Sequence, residues 1–295
     1  MSATPLCDVC LVSWRSREPL RACLRALLDQ PQVDRIVVVD NASGDGTAEM
    51  VQTEFPRVHL IANDHNAGYA AANNQAIRDT TAPFVLLLNP DTEIQPGAIS
   101  ALLAPFAEDP RIAATAPQLR LPDGTIQHSV RGFPESAPIL LEVLGLARLF
   151  PRSAAVNRYR LRDWDHNSRR GVDQPMASAL MLRRAALDEV GLFDESFPLF
   201  FNDVDLCYRL RQAGWRIVFV PEAKVTHRHG HSTRQARARA VVESHRGLMR
   251  FYRKHYRGRV GRLGYGAVLA LAWLTMWPRA GLAALVGATR RVAKD

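Results

Sequence analysis

The sequence predicts an α/β protein, a doubly wound and mostly parallel sheet with helices on both faces, followed by a helical C-terminal tail. Three observations carry this prediction. Short apolar runs alternate with amphipathic helical stretches over roughly the first 110 residues. The runs are too continuous for half-exposed strands and have the character of parallel strands covered on both sides. Turn residues punctuate the junctions, "SGDGT" at 43–47 above all.

The elements follow in order. Residues 6–13, "LCDVCLVS", form the first strand. In "REPLRACLRALLDQP", Leu20, Cys23, Leu24, Leu27 and Leu28 fall on one helix face. "RIVVVDN" is a second buried strand ending in Asp40, and "SGDGT" feeds a helix from Thr47 to about Phe55. "VHLIAN" is the third strand, and "NAGYAAANNQAIRDT" a loop and helix. "FVLLLN" is the fourth, ended by Pro90, which cannot donate to a ladder. Its following helix is "PGAISALLAPFAED". From 111 to 175 periodicity weakens; "RLPDGTIQHSVRGFP" predicts a hairpin around Asp123-Gly124, and 139–170 an apolar helical stretch before a polar loop. "SALMLRRAALDEVG" is a strand and a helix closed by Gly191. "NDVDLCYRLRQAGWRIVFVPEAKVTH" is a helix capped by Asn202 or Asp203 and stopped at Gly214, then a strand.

The net charge of +9 implies an anionic partner, and its location narrows the choice. Between Arg228 and Arg262 there are eleven Lys or Arg residues against one acid, Glu243, so the basic character belongs to the C-terminal part. Cys7, Cys10, Cys23 and Cys207 make no disulfide framework in a chain of 295 residues. Cys7 and Cys10 lie inside an apolar strand, whereas a redox pair belongs at a helix N-terminus with an exposed thiolate. The start "MSATPLCD" lacks the basic and apolar regions of a secretory signal, and a cytoplasmic location is expected.

Ligands of a doubly wound sheet bind at the carboxyl ends of its strands, and Asp40, Asn66 and Asp91 fall at or just past such ends. Five ordered motifs then carry a family resemblance: "VVVDNASGDGT", "NAGYAAANNQAI", "LLLNPDTEI", "VGLFDESFPLFFNDVDLCYRLRQAGW" and "VTHRHGHST". Together, over about residues 6 to 256, they resemble the family 2 glycosyltransferases of the GT-A fold, especially the rhamnosyltransferase-like branch. The resemblance implies an inverting, metal-dependent transfer of a sugar, L-rhamnose from dTDP-rhamnose, to a cell-surface glycan or lipid-linked acceptor. It also implies a catalytic domain over residues 1–240, with a donor half to about 110 and an acceptor half beyond it, and a tail from 241 to 295.

The departing diphosphate of a sugar nucleotide needs a metal or cations, and Mg²⁺ or Mn²⁺ takes carboxylate oxygens and keeps waters. Asp91 matches the last Asp of the family's D-x-D motif and is the expected metal ligand; Asn89 stands at the first Asp. A helix cap is an inferior account of Asp91, since the next helix begins about five residues on. Ser13, Asp40, Asn41, Asn66, Gly68 and Asn73 complete the expected nucleotide-sugar site. In it Asp40 accepts the N3–H of the base, and Gly68 lets the backbone come close. Asp40 also fits an Asx turn, and Asn73 a cap or a solvent-facing position. Asp203 matches the family's general base, with Asn202 in place of the usual Glu. A helix N-cap is the alternative for Asp203, and an i,i+4 pair with Arg209 is the better account of Asp205, the second candidate. His227, His229 and His231 alternate, which permits a three-histidine zinc site, but the resemblance carries only His227 to the metal or diphosphate. Arg131 is carried over to the acceptor or diphosphate, and Ala177, where relatives often have Gly, narrows the acceptor wall.

In the tail, Leu263 to Trp277 is an apolar stretch shorter than the roughly 20 residues that span a bilayer, interrupted by Pro278 and Arg279. With Trp273, Trp277 and flanking arginines it predicts a segment lying on the inner face of the cell membrane; a packed helical hairpin is the alternative. Two other classes compete. A nucleic-acid binder would use the arginines but leaves residues 1–110 unexplained, and no nucleic-acid partner is expected. A nucleotidyltransferase or non-catalytic nucleotide binder shares the sheet, but "VSWRSREPL" lacks a Gly-rich phosphate loop.

Overall fold

A computed structural model of the chain describes residues 7–146, 149, 153–228 and 237–292. Packing divides the chain into two compact units. The first comprises Met1–Val130, Asp165–Pro198 and Asn202–His231, and the second Arg131–Trp164, Leu199–Phe201 and Ser232–Asp295. This differs from a sequential division at residue 240, because residues of the middle segment group with the C-terminal helices.

The first unit opens as the sequence predicts: β1 (Cys7–Ser13), α1 (Arg17–Leu28), β2 (Val33–Asp40), α2 (Thr47–Glu54), β3 (His59–Ala62), α3 (Tyr69–Arg78) and β4 (Phe84–Leu88). A short β5 (Thr92–Ile94) follows, then α4 (Ala98–Glu108) and β6 (Ile112–Arg120). Three two-residue strands, β7 (Val130–Arg131), β8 (Arg170–Gly171) and β9 (Gln174–Pro175), precede β10 (Ala179–Arg183). Helices α5 (Ser136–Val143) and α6 (Ala154–Arg160) lie within the second unit. The first unit ends with α7 (Arg184–Val190), α8 (Asn202–Gln212) and β11 (Arg216–His227). The sheet order is β3-β2-β1-β4-β10-β6-β11-β5, with β8 also on β11.

The sheet is mixed, which corrects the expectation of a mostly parallel one. Strands β3, β2, β1 and β4 are parallel, but β10 runs antiparallel to both β4 and β6, and β5 and β8 run antiparallel to β11. An apolar run buried on both faces gives the same pattern whichever way it points, so "ALML" could not disclose its direction. The reversal brings Ala177 and Ser178 to the carboxyl end of β4, where Ala179 pairs with Leu88.

Both faces of the sheet are covered. Cys7, Val9 and Leu11 join a core with Leu20, Leu24 and Leu27 of α1, Met50 and Val51 of α2, and Leu102 and Phe106 of α4. The intervening Cys10 and Val12 are buried beside α3, whose Ala72, Ala76 and Ile77 are closed off from solvent. Leu28, expected on the buried face of α1, is exposed. Burial pushes the Cys7 thiol up to about 12, and the Asp8 charge adds to the shift, so the C-x-x-C is structural. The turn at Asp123-Gly124 forms, with Gly124 at φ 84, but returns only a single bridge, Arg120 to Ile126.

In the second unit, a helix Arg237–Phe251 is followed by a π-helical turn Tyr252–Tyr256 and one long helix Arg262–Val292. The expected break at Pro278 does not occur. Pro278 lies on the exposed side, and the carbonyl it frees, four residues earlier at Leu274, is exposed too, so neither loss is buried. The apolar part, Arg262–Val286, is therefore 25 residues long with mean hydropathy 1.4, long and apolar enough to cross a membrane. One face packs through Val268, Ala272, Met276 and Ala280, spaced by four residues, and the other exposes Trp273, Leu274, Trp277, Leu282 and Leu285. A packed hairpin and an apolar outer surface thus coexist.

Asp8 supplies a test of how the sheet is held. It is fully buried, and its Oδ2 accepts the Thr81 and Ala82 backbone N–H groups at 2.8 Å each, tying β1 to the turn that starts β4. Replacing Asp8 by Ala should cost about 1–3 kcal/mol, because the buried N–H of Ala82 loses its acceptor, and urea denaturation would show it as a lowered midpoint.

Candidate active site

Three neighbouring parallel strands end together, and the candidate residues follow from that register. Ser13 pairs with Asp40, and Leu11 with Leu88, so Ser13, Asp40 and Asn89 reach the same carboxyl edge. Asp40 is buried; its carboxylate accepts the Ser43 backbone N–H at 3.2 Å and the Ser43 hydroxyl at 2.5 Å. That hydroxyl also accepts the Arg15 N–H at 2.9 Å, so Asp40 braces the loops after both β1 and β2. The Asx-type turn is therefore formed. Ser13 is fully buried, its Oγ 2.9 Å from that of Ser16.

The next loop is built from side-chain amides. Asn41 donates to the Gly68 carbonyl at 3.3 Å and accepts from Asn63 at 2.9 Å. Asn66 is exposed, and its Oδ1 accepts the Gly68 N–H at 2.9 Å. Gly68 has φ 86, and a Cβ there would come within 2.9 Å of the Pro198 carbonyl, which accepts the Tyr69 N–H at 2.7 Å. The close approach that this glycine permits is thus to Pro198. Asn73 does not face solvent or cap the helix; it is buried and donates to the Tyr69 carbonyl at 2.8 Å, inside the first turn of α3.

At the end of β4, Asn89 donates its backbone N–H to the Ser178 carbonyl at 2.9 Å and its amide to the Ser178 hydroxyl at 3.3 Å. Its buried Oδ1 has no hydrogen-bond partner. Two residues on, Asp91 Oδ1 lies 3.3 Å from His227 Nε2. The antiparallel pairing of β5 with β11, with Thr92 opposite His227, produces this meeting of distant residues. His227 is buried, and its Nδ1 is 2.8 Å from Gln127 Oε1. With Nδ1–H donating to that carbonyl oxygen, Nε2 faces Asp91. A carboxylate oxygen and a ring nitrogen at this separation are joined by a proton or by a cation held between them. The donor set fits a hard divalent ion taking Asp91, His227 and further oxygens from ligand and water. Among the described residues no group of three or more His, Cys, Asp or Glu forms a metal cage. His229 and His231 lie outside the described residues.

Helix α8 delivers the acceptor-side carboxylates. Asp203 Oδ2 accepts the Ala177 N–H at 3.4 Å, and Oδ1 accepts the Val204 N–H at 2.9 Å. Asn202, buried, donates to the Phe197 carbonyl at 3.3 Å and accepts the Asp203 N–H at 2.7 Å. Ala177 in turn accepts the Tyr69 hydroxyl at 3.0 Å. Burial pushes the Tyr69 phenol well up, and the Asp203 and Asp91 carboxylates add to the shift. One phenol thus feels both carboxylates, Asp203 more than Asp91. Asp205 plays no part at this edge. Its side chain is fully buried and bound at 2.8 Å by Arg209, which also donates to the carbonyls of Val190, Gly191 and Leu192. That corrects its candidacy as a base: it closes α7 onto α8. Arg131 belongs to the second unit, where its guanidinium lies 5.6 Å from the Tyr159 ring centroid.

Sequence reasoning missed Gln127, Tyr69 and Ser178. Gln127 sits two residues past the "PDGT" turn, where its N–H pairs with the Leu119 carbonyl, so the hairpin register contained the signal. A cavity of about 530 Å³ lies at the opposite edge of the sheet, at the amino ends of β6 and β11. There Arg169 is paired with Glu108, and Arg216 with Asp109. Two of its arginines are thus matched by local acids.

Residues 5–247 match glycosyltransferase-like family 2. The chain belongs to that family. The protein is accordingly a glycosyltransferase, and the nucleotidyltransferase and non-catalytic alternatives fall away. It is similar to N-acetylglucosaminyl-diphospho-decaprenol L-rhamnosyltransferase of Mycobacterium tuberculosis, 33% identical over 234 residues that cover 76% of each chain. It is also similar to the pre-mycofactocin glycosyltransferase of the same organism, 32% identical over 70% of this chain and 40% of that one. Among solved structures, the mannosyltransferase PcManGT of Pyrobaculum calidifontis, in complex with GDP-Man and Mn²⁺, superposes with a TM-score of 0.58 at 17% identity, covering 98% of this chain and 76% of that one. GalNAc-T7 with UDP, GalNAc and Mn²⁺ gives 0.59 at 13% identity, covering 87% and 50%. These two establish the GT-A fold.

The buried pair gives a prediction that separates structure from chemistry. Removing the Asp205 carboxylate, as in Asp205→Ala, leaves Arg209 without its counter-charge and should destabilise the fold by about 3–5 kcal/mol. Asp203→Asn should stay within about 1 kcal/mol of the parent in the same thermal melt, because only local hydrogen bonds change.

Proposed function

We propose that this glycosyltransferase transfers L-rhamnose, with inversion and with a divalent metal, from dTDP-L-rhamnose to a lipid-linked glycan acceptor at the cytoplasmic face of a membrane. The single observation that supports it best is the convergence of Asp40, Asn89, Asp91–His227 and Asp203 on one carboxyl edge of one sheet. The rhamnosyl donor and lipid-linked acceptor are proposed from the mycobacterial relative, whose name states both a rhamnosyl transfer and a diphospho-decaprenol substrate.

In this reading the residues divide the work. Asp40, with Ser13 and Asn41 beside it, holds the thymine, whose N3–H a carboxylate accepts. Asn66 and Gly68 shape the loop over the ribose, and Asn73 supports that loop from within. Asn89 offers its unpartnered Oδ1 to a ribose or sugar hydroxyl. Asp91 and His227 hold Mg²⁺ or Mn²⁺, which when bound offsets the charge developing on the leaving diphosphate. Gln127 fixes the orientation of His227. Asp203 accepts the proton of the acceptor hydroxyl as that oxygen attacks the anomeric carbon, and Asn202 orients it through the Asp203 N–H. The proton goes to Asp203, and the electron pair of the broken C–O bond leaves with the diphosphate.

Membrane attachment belongs to the same reading. The exposed Trp273, Leu274 and Trp277 would enter the interface while the basic residues before Arg262 meet anionic head groups. The long helix also has the length to span, so the outer face is read as interfacial on account of its packed opposite face.

Two experiments test these roles. Asp91→Ala should weaken metal and nucleotide binding together, whereas Asp203→Asn should leave nucleotide affinity intact and cut turnover by about 10²- to 10⁴-fold. Equal loss of donor affinity in both variants, read by calorimetry, would refute the division. In flotation with anionic vesicles, Trp273→Ser with Trp277→Ser should release most of the protein, and high salt only part of it, since salt screens arginines but not apolar burial. Unchanged flotation of the double variant would exclude this face as the anchor.

A further inference from the structure

The second unit contains a cavity of its own, about 180 Å³ in volume, lined by both charged and apolar side chains. Arg131, Glu142, Tyr159, His245 and Arg279 are among the polar ones; Ile139, Phe201 and Leu248 are among the apolar ones. The charge balance of the lining is unequal. Glu142 is the one acid of the lining, and its two carboxylate oxygens are taken by Nε and one terminal nitrogen of Arg160. Among the described residues, neither Arg131 nor Arg279 forms an ion pair with a carboxylate. Arg131 is stacked on the Tyr159 ring at 5.6 Å, and Arg279 reaches only the Glu142 backbone carbonyl, at 3.5 Å. His245 contributes no negative charge: its Nδ1 lies 2.8 Å from the Val241 carbonyl, and burial together with the Arg279 charge lowers its pKa.

Two guanidinium groups without a carboxylate partner among the described residues, in the lining of a partly aliphatic cavity, match a specific chemistry. Guanidinium forks bind the oxygens of phosphate and diphosphate in paired hydrogen bonds. The apolar residues of the same lining suit a hydrocarbon chain attached to that group. Arg279 follows Trp277 by two residues on the helix whose outer face exposes Trp273, Leu274 and Trp277, so an apolar surface leads up to the charged one. A nucleic-acid strand fits less well, because the cavity is small and is lined in part by Ile139 and Leu248.

We propose that this cavity is a binding site for the diphosphate of the lipid-linked acceptor, with Arg131 and Arg279 as its ligands and the aliphatic wall receiving the first part of the hydrocarbon chain. The choice of a lipid-linked diphosphate rests on the acceptor class proposed above; the anion site itself does not.

Equilibrium dialysis of the full-length protein with labelled farnesyl diphosphate, in EDTA and without sugar nucleotide, tests it independently of turnover. Saturable binding is expected, weakened about tenfold or more in Arg131→Gln with Arg279→Gln and unaffected by Asp91→Ala. The single Arg279→Gln variant, at an exposed position, should show a loss of about threefold or more even if the double variant misfolds. Farnesol should fail to compete, and inorganic pyrophosphate should compete far more weakly than farnesyl diphosphate. Parent-like affinity in the folded arginine variants would overturn the site. Equal competition by pyrophosphate would make it a free-anion site, and equal competition by phosphatidylglycerol vesicles a head-group site; either overturns the lipid-linked assignment. Absence of rhamnosyl transfer alongside arginine-dependent farnesyl diphosphate binding would count against the donor reading and leave this site standing.

Discussion

The approach of Asp203 to the carboxyl edge depends on the reversal of β10. Inserted antiparallel between β4 and β6, it turns the chain so that Ala177 and Ser178 meet Asn89 at the end of β4. The bond from Asn89 N–H to the Ser178 carbonyl continues the ladder one step past the strand, and the Ala177 N–H then reaches Asp203. A parallel strand in that place would put the start of β10, and with it Asp203, at the far edge. A residue more than a hundred positions from Asp91 is thereby reached by a backbone donor, the Ala177 N–H, which its carboxylate accepts at 3.4 Å.

The same economy governs the electrostatics. Asp40 and Asp205 are both buried acids, one bracing its own turn and one bound by Arg209. Asp91 meets a histidine instead. Its neighbour His227 is fixed from behind by Gln127, and the Asn89 amide oxygen nearby is left without a donor. Buried polar groups in folded proteins are nearly all paired, and in the proposed function the unpaired Asn89 oxygen is where a ligand supplies the missing donor.

Much of this was legible in the sequence, and for identifiable reasons. The strands "CDVCLVS", "RIVVVD" and "FVLLL" announced themselves by apolar continuity, and α1 by its stripe of Leu20, Cys23, Leu24 and Leu27. The terminal positions of Asp40 and Asp91 followed from strand length alone. What stayed hidden was pairing. Nothing local in "ALML" records that it runs backwards, and nothing in "TEI" records that it becomes an edge strand beside His227. Asn73 entered the expected site through the loop motif, and its amide also donates to the Tyr69 carbonyl of its own helix, a bond the motif did not disclose. Pro278 looked like a terminator because most prolines are, yet the exposed side of a helix tolerates one. Composition separated the basic C-terminal part from the remainder, but grouping residues 131–164 with it required the packing itself.

The central claim of the proposed function is that a single carboxylate, Asp203, serves one attack of the acceptor hydroxyl on the anomeric carbon, opposite the departing diphosphate, with no covalent sugar–enzyme intermediate. Proton NMR of the glycoside formed from dTDP-L-rhamnose tests this most directly. The account predicts a new glycosidic bond of the anomeric configuration opposite to that of the donor. Retained configuration would contradict it.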